Sequence, residues 1–245
     1  MIERIEPRFV ERVWGSTDLS PLYPRQERPI GEVWFDAGPL LVKFLFTTAP
    51  LSVQVHPGGA TGKTEMWHIL RAEPGSWIWL GFRGTPTREA VEAGLHDGSI
   101  CDMLAKFHPS AGDTFFTPAG VIHALGPGLT LCEIQQNSDI TYRLYDYGRD
   151  RPLHIEQGLA VAKFQPHPGK QCAIGGTLVA CEYFVTDYLE VSGVRELDGN
   201  TILIPIAGEA TADGVALRVG EVFRTTGLVE VRAPTAATLL RTYVP

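Results

Sequence analysis

The stretch LSVQVHPGGATGKTEMWHIL, residues 51–70, reads as a strand, a tight loop and a second strand. In its first part Val53 and Val55 are apolar while Ser52, Gln54 and His56 are polar, an alternation that puts the two sets on opposite faces of an extended chain. A polar stripe bounded by apolar sequence has to face something that rewards polarity. Past the loop, Lys63 and Glu65 stand two apart and project together from an extended segment, with Met66 and Trp67 beside them. A third fragment, TPAGVIHALG at 117–126, delivers His123 from a turn at Pro118, Ala119 and Gly120 into a short apolar segment. Each of these residues alone reads as an ordinary hydrogen-bonded side chain. Together, two imidazoles and a carboxylate, with an amide oxygen from Gln54, suit zinc or another divalent first-row metal with one position left open.

Outward from this stretch the chain continues as short β-branched or aromatic runs punctuated by Gly and Pro. IGEVWFDAG, LLVKFLF, SWIWLGF, DTFFTPA, LTLCEIQ and ITYRLYDY all have this form. Their density implies a mainly β fold, a sandwich or a barrel. TPTREAVEAGLHDGSICDMLAKF interrupts with helical spacing: Thr87 is placed to cap, Val91 and Leu95 share a face, and Met103 and Leu104 fall on a second short helix. LHIEQGLAVAKF is a further helical candidate. QPHPGKQ reads as a linker, dividing the chain into a motif-bearing part, 1–170, and a C-terminal β part, 171–245, that has no histidine and an expected structural role.

Composition sets the outer limits. The 245 residues are 44% hydrophobic and 20% charged, enough apolar content for a cooperative core. A net charge of −7 argues against broad binding to nucleic acid or an anionic membrane, though a few local cations suffice for a small anionic ligand. Cys101, Cys132, Cys172 and Cys181 form no CxxC pair and read as thiols, which fits a reducing, cytoplasmic setting. The N-terminus lacks the apolar run of a signal peptide, and no segment approaches the roughly 20 apolar residues that span a bilayer. Oligomeric state is not legible.

Several blocks carry a family resemblance. RVWGSTDL at 12–19, IGEVW at 30–34, LLVKFLF at 40–46, LSVQVHP at 51–57, KTEMW at 63–67, PAGVIHALG at 118–126 and EIQQNSDITYRLYDYGR at 133–149 stand in the order seen in type I mannose-6-phosphate isomerases. The chain resembles a compact bacterial-type member of that family. The resemblance implies a cupin-type jelly-roll barrel with a short helical insertion near 87–107 and a smaller C-terminal β domain. It implies a zinc-dependent aldose–ketose isomerase, with one zinc per chain, acting on mannose 6-phosphate and fructose 6-phosphate. The metal ligands it implies are His56, Glu65 and His123, with Gln54 supplying a further ligand in some members. Arg143 takes the position of the catalytic arginine and Lys63 that of a pocket lysine. The loop after His56 departs from the family: it is short, and Gly58 and Gly59 replace the acidic residues usual after the HP pair.

Moving a proton between adjacent sugar carbons through an enediol needs a polarised carbonyl, a base and stabilisation of the developing oxyanion. A metal supplies the first, and the permanently charged guanidinium of Arg143 serves the last. Glu32, Lys63, Glu133 and a metal-bound water all stand as candidate bases. Ser52, Lys63, Arg143 and Arg149 are the candidates for holding the phosphate. Two other readings compete. Two histidines and a carboxylate also match a non-haem iron cupin oxygenase, and a sugar-phosphate-binding regulatory cupin would keep the metal without turnover.

Overall fold

The computed structural model describes residues 1–245. LLVKFLF forms the strand Leu40–Phe46, buried at every position, and LTLCEIQQ forms Leu129–Gln136, equally buried. Strands this apolar have no water-facing side, so they belong in the middle of a stack with a layer on each face. They pair antiparallel, Lys43 opposite Glu133, at the centre of a seven-stranded sheet. Its order is Lys170–Gln171, Thr114–Thr117, Glu65–Ala72, Leu129–Gln136, Leu40–Phe46, Ile30–Asp36 and Arg8–Ser16.

Alternation along these strands sends Val42, Phe44, Met66, Cys132 and Ile134 to one face, where they share a core with Phe184 and with Ile202, Ile204 and Leu240 of an eight-stranded C-terminal sheet. Leu45, Trp67, Ile69 and Leu131 go to the other face and meet Ile78, Leu80 and Leu125 of a five-stranded sheet. That sheet runs Tyr142–Tyr145, Val53–Val55, His123–Leu125, Ile78–Phe82 and Leu104–Phe107. Its outer face is covered by helices α1 (Arg88–Asp97), α2 (Ile100–Met103) and α3 (Ile155–Val161), which bring Val91, Leu95, Ile100 and Leu159 onto Val53, Val55 and Leu144. The Thr87 hydroxyl caps α1 by accepting from the Ala90 amide, and Gly98 ends it at φ 85°, the left-handed conformation glycine reaches without a Cβ clash.

The fold is thus mainly β with a short helical insertion, but the three sheets share no hydrogen-bonded ladder. They stack as layers, and the expected jelly-roll barrel does not close. Leu104, expected on the second short helix, begins a strand. The charged N-terminal stretch supplies two strands that the sequence reading did not name. Ile2–Ile5 pairs with Val222–Thr225 in the C-terminal sheet, and Arg8–Ser16 edges the central sheet. Edge strands tolerate such charge because one side stays in water. QPHPGKQ is pinned to the body of the protein: Lys170–Gln171 pairs with Thr114–Thr117, and Lys170 meets Asp113 at 2.5 Å. All four cysteines are free thiols. No helix is long and apolar enough to cross a membrane.

His68, on the strand Glu65–Ala72, is buried against Thr114 Oγ1 at 2.9 Å and the Tyr188 ring. Burial lowers its pKa from 6.5 to about 4, against a smaller raising effect of Asp113. The unfolded chain therefore binds a proton that the folded one refuses between those values. Stability is expected to be fully present above pH 6.5 and to fall by up to about 3 kcal/mol as pH drops toward 4. Urea titrations of the wild type and His68→Gln across that window should show a shallower slope in the variant, the difference being the contribution of His68, since His56 and His123 are depressed in the same direction.

Candidate metal centre and its cavity

His56 follows the strand Val53–Val55, Glu65 opens the strand Glu65–Ala72, and His123 opens His123–Leu125. The two sheets thus bring together residues that are far apart in sequence. Glu65 Oε1 lies 3.3 Å from His123 Nε2 and 3.8 Å from His56 Nε2. One ligand atom from each of the three residues lies within 4.8 Å of the other two. All three side chains are about 1% exposed.

The imidazoles are held from behind. His56 Nδ1 is 2.9 Å from the Ile140 carbonyl and His123 Nδ1 is 2.9 Å from the Val121 carbonyl. A carbonyl can only accept, so each Nδ1 carries the proton and each Nε2 presents a bare lone pair to the cluster. Burial keeps both rings neutral: it takes His56 well below its usual range, helped by Lys63, and takes His123 to about 4. The Gln54 amide is 3.3 Å from His123 Nε2 and accepts from Ser52 Oγ at 3.2 Å. The two ends of an amide are near-isosteric, so turning it presents an oxygen to the same point.

Behind the cluster lies a buried chain of charge. Lys63 Nζ is 2.6 Å from Glu65 Oε2 and 3.5 Å from Glu133 Oε1, which Lys43 Nζ also meets at 3.0 Å. Trp67 Nε1 donates to Glu133 Oε2 at 3.0 Å. Burial alone would raise Glu133, but Lys43 and Lys63 hold it down at about 2. Burial likewise opposes charge on Lys63, yet Glu133 and Glu65 keep it protonated and above the usual lysine range. Glu65 is pushed up to about 7 by burial and by Glu133, with Lys63 opposing. Its Oε1 is buried and accepts no hydrogen bond. A buried carboxylate oxygen with no donor, facing two bare imidazole nitrogens, is a donor set that fits a divalent cation.

Glu133 is therefore a keystone as well as a base candidate. Its replacement by Leu would leave Lys43 buried at 4% exposure without its carboxylate. The expected loss is about 3–5 kcal/mol of folding free energy, read by chemical denaturation. A loss under about 1 kcal/mol would mean that the cavity hydrates Lys43 well enough to replace the ion pair.

A cavity of about 330 Å³ opens above the cluster, with Gln54 and Lys63 on its floor. Of the residues expected to meet a substrate, Glu32, Ser52, Lys63 and Arg143 line it. Thr141 lines it beside Arg143, but Tyr145 does not, because the pairing with Val53–Val55 shifts register between Arg143 and Tyr145. Arg149 is turned away: it donates to the Pro50 carbonyl and its guanidinium sits 5.2 Å from the Tyr147 ring centroid. Arg151 lines the cavity where Arg149 was expected, and Arg12, Lys43 and Asp139 join it. The short loop after His56 closes on itself through Gly62 N to Gly59 O. It is tied to the 136–138 segment by Gln136 Nε2 to Gly59 O and by Ser138 Oγ to Thr61 O.

Neutral imidazoles and an orphaned carboxylate oxygen beneath a cation-lined cavity, in a layered β fold, form a candidate metal site with room for a small anionic ligand. Comparison with known proteins narrows the reading. No family model matches the chain. It is 33% identical to mannose-6-phosphate isomerase ManA of Bacillus subtilis (strain 168) over 73% of this chain and 64% of that protein. It is 32% identical to the probable mannose-6-phosphate isomerase GmuF of the same organism, over 68% of this chain and 69% of that one. The crystal structure of the mannose 6-phosphate isomerase from Bacillus subtilis aligns with a TM-score of 0.85 at 24% identity, over 98% of this chain and 99% of that chain, which establishes a shared fold. The chain belongs to the mannose-6-phosphate isomerase family. Its sequence match spans just under two thirds of the length of ManA.

Proposed function

We propose that this protein is a zinc-dependent isomerase that interconverts mannose 6-phosphate and fructose 6-phosphate through an enediol, with the site borne by residues 1–170 and with 171–245 as its structural base. The observation that carries the reading is the convergence of His56, Glu65 and His123 on one point beneath a cavity lined by Lys63 and Arg143, in a chain of this family. His56, Glu65 and His123, with Gln54, would hold the metal. When bound there, a divalent cation supplies Lewis-acid polarisation of the sugar carbonyl.

The remaining work falls to the chain's own groups. Lys63, kept protonated by Glu65 and Glu133, provides a fixed positive charge beside the reacting carbons and steadies the enediolate. Arg143 adds a second, with donors in a planar fork. Ser52 and Glu32 offer hydrogen-bonding groups to the sugar hydroxyls from the cavity wall. Lys63 and Glu133 are poor bases in this setting, since one is held charged and the other is held at about 2. An oxygenase has no use for so many cations around its cavity, which favours the isomerase over the iron alternative.

The test is a coupled assay of fructose 6-phosphate formation from mannose 6-phosphate, run on zinc-loaded and chelator-treated protein. Turnover that requires metal supports the reading. Stoichiometric metal with no turnover and no exchange of the C2 proton with solvent would leave a binding protein in its place.

A further inference from the structure

The five cations around the cavity differ in how many donors they have left. Lys43 and Lys63 are committed to Glu133 and Glu65. Arg151 gives Nε and Nη2 to the two oxygens of Asp146, each at 2.6 Å, a two-pronged pairing that occupies its fork. Arg143 and Arg12 remain. Arg12 enters from the edge strand Arg8–Ser16, and its side chain is about one third exposed (32%). Its Nη2 lies 2.6 Å from Glu32 Oε2, and Nη1 makes only a long 3.3 Å bond to the Glu11 carbonyl. A guanidinium has five N–H donors, so several stay available.

Arg12 is also held in place. Trp34 Nε1 donates to the same Glu32 oxygen at 3.1 Å, which fixes the carboxylate that anchors Arg12. The guanidinium itself sits 5.9 Å from the Trp34 ring centroid. In the central sheet the strand bearing Arg12 is four strands from the one bearing Glu65, about 19 Å between backbones at the usual spacing. Arg12 therefore enters the cavity from the edge of the sheet away from the strand that bears Glu65. A hexose 6-phosphate has its carbonyl at one end and its phosphate at the other.

We propose that Arg12, positioned by Glu32 and Trp34, is the residue by which the cavity selects a phosphorylated sugar over the free sugar. This rests on reading the cavity as a sugar-phosphate site. Burial and the nearby Arg151, Arg149 and Arg12 lower the pKa of Arg143, against Asp146. Arg12 thus adds to the positive charge that Arg143 feels across the cavity, and a dianionic group bound there would relieve it.

The test is calorimetric binding of a non-reactive polyol 6-phosphate and of the same polyol without phosphate to the metal-loaded protein. The wild type is expected to prefer the phosphorylated ligand. Arg12→Met and Arg12→Gln are each expected to lose at least ten-fold of that preference while binding the free polyol as before. The Gln variant keeps a donor for Glu32, so it serves if the Met variant fails to fold. A wild type without preference, or a folded variant that retains it in full, overturns the assignment. A wild type that prefers the phosphorylated polyol but does not isomerise would remove the proposed function and leave the role of Arg12 standing.

Discussion

His123→Ala is expected to abolish stoichiometric metal binding and isomerase activity together, with activity falling by several kcal/mol of transition-state stabilisation, on the order of 10³-fold or more. The reason lies in how the site is built. His123 is the first residue of a central strand of the five-stranded sheet, locked between Gln54 and Leu80 in the ladder. Its Nε2 stands closer to Glu65 Oε1 than that of His56. Removing it leaves one imidazole, one carboxylate and the weakly donating Gln54 amide, too few strong donors for a tight site. His56→Ala should behave alike. Metal content after dialysis, measured beside the coupled assay, checks both. A second readout is thermal. Wild-type protein at a free metal concentration 1,000-fold above Kd should gain about 4 kcal/mol over its chelated form, and the variants should gain almost nothing. Full occupancy and full activity in His123→Ala would sink the ligand assignment.

Much of this arrangement is written in short-range sequence, because strands impose a period of two and that period sorts side chains by face. Ser52, Gln54 and His56 read as one stripe, and Lys63 with Glu65 as another; they meet in the structure because their strands lie in facing sheets. Lys43 was not singled out, although a lysine in the middle of LLVKFLF has to find a buried acid; which acid depends on pairing across 90 residues, to Glu133. Arg12 and Arg151 were not legible. Both lie in charged, surface-like sequence, and only the edge position of Arg8–Ser16 and the Asp146 pairing turn them toward the cavity. Arg149 shows the converse: a motif match gave its position along the chain, but the turn after Tyr142–Tyr145, with Tyr147 at φ 55°, directs it to the Pro50 carbonyl. Barrel closure is a matter of hydrogen bonds between sheets, which no local pattern specifies.

Arg143→Ala is expected to keep the metal and lose turnover, with kcat/KM lower by about 10²–10³. The backbone at this position is fixed from both directions: the His154 amide donates to the Arg143 carbonyl at 2.7 Å, and the Arg143 amide donates to His154 Nδ1 at 3.3 Å. The side chain is held more lightly. Nη1 donates to the Pro152 carbonyl at 2.9 Å, while Nε is buried without a partner. An arginine kept for stability would not be left with an unpaired buried donor beside the like charge of Arg151. Its truncation should therefore leave the thermal midpoint unchanged or slightly raised while activity collapses, a combination that separates a functional guanidinium from a structural one. Arg143→Lys should restore little, because an ammonium supplies the charge but not the planar fork that can address two oxygens at once. Full activity in Arg143→Ala would move the stabilising charge to Lys63, whose three contacts within the cluster would then have to serve the reaction as well as the fold.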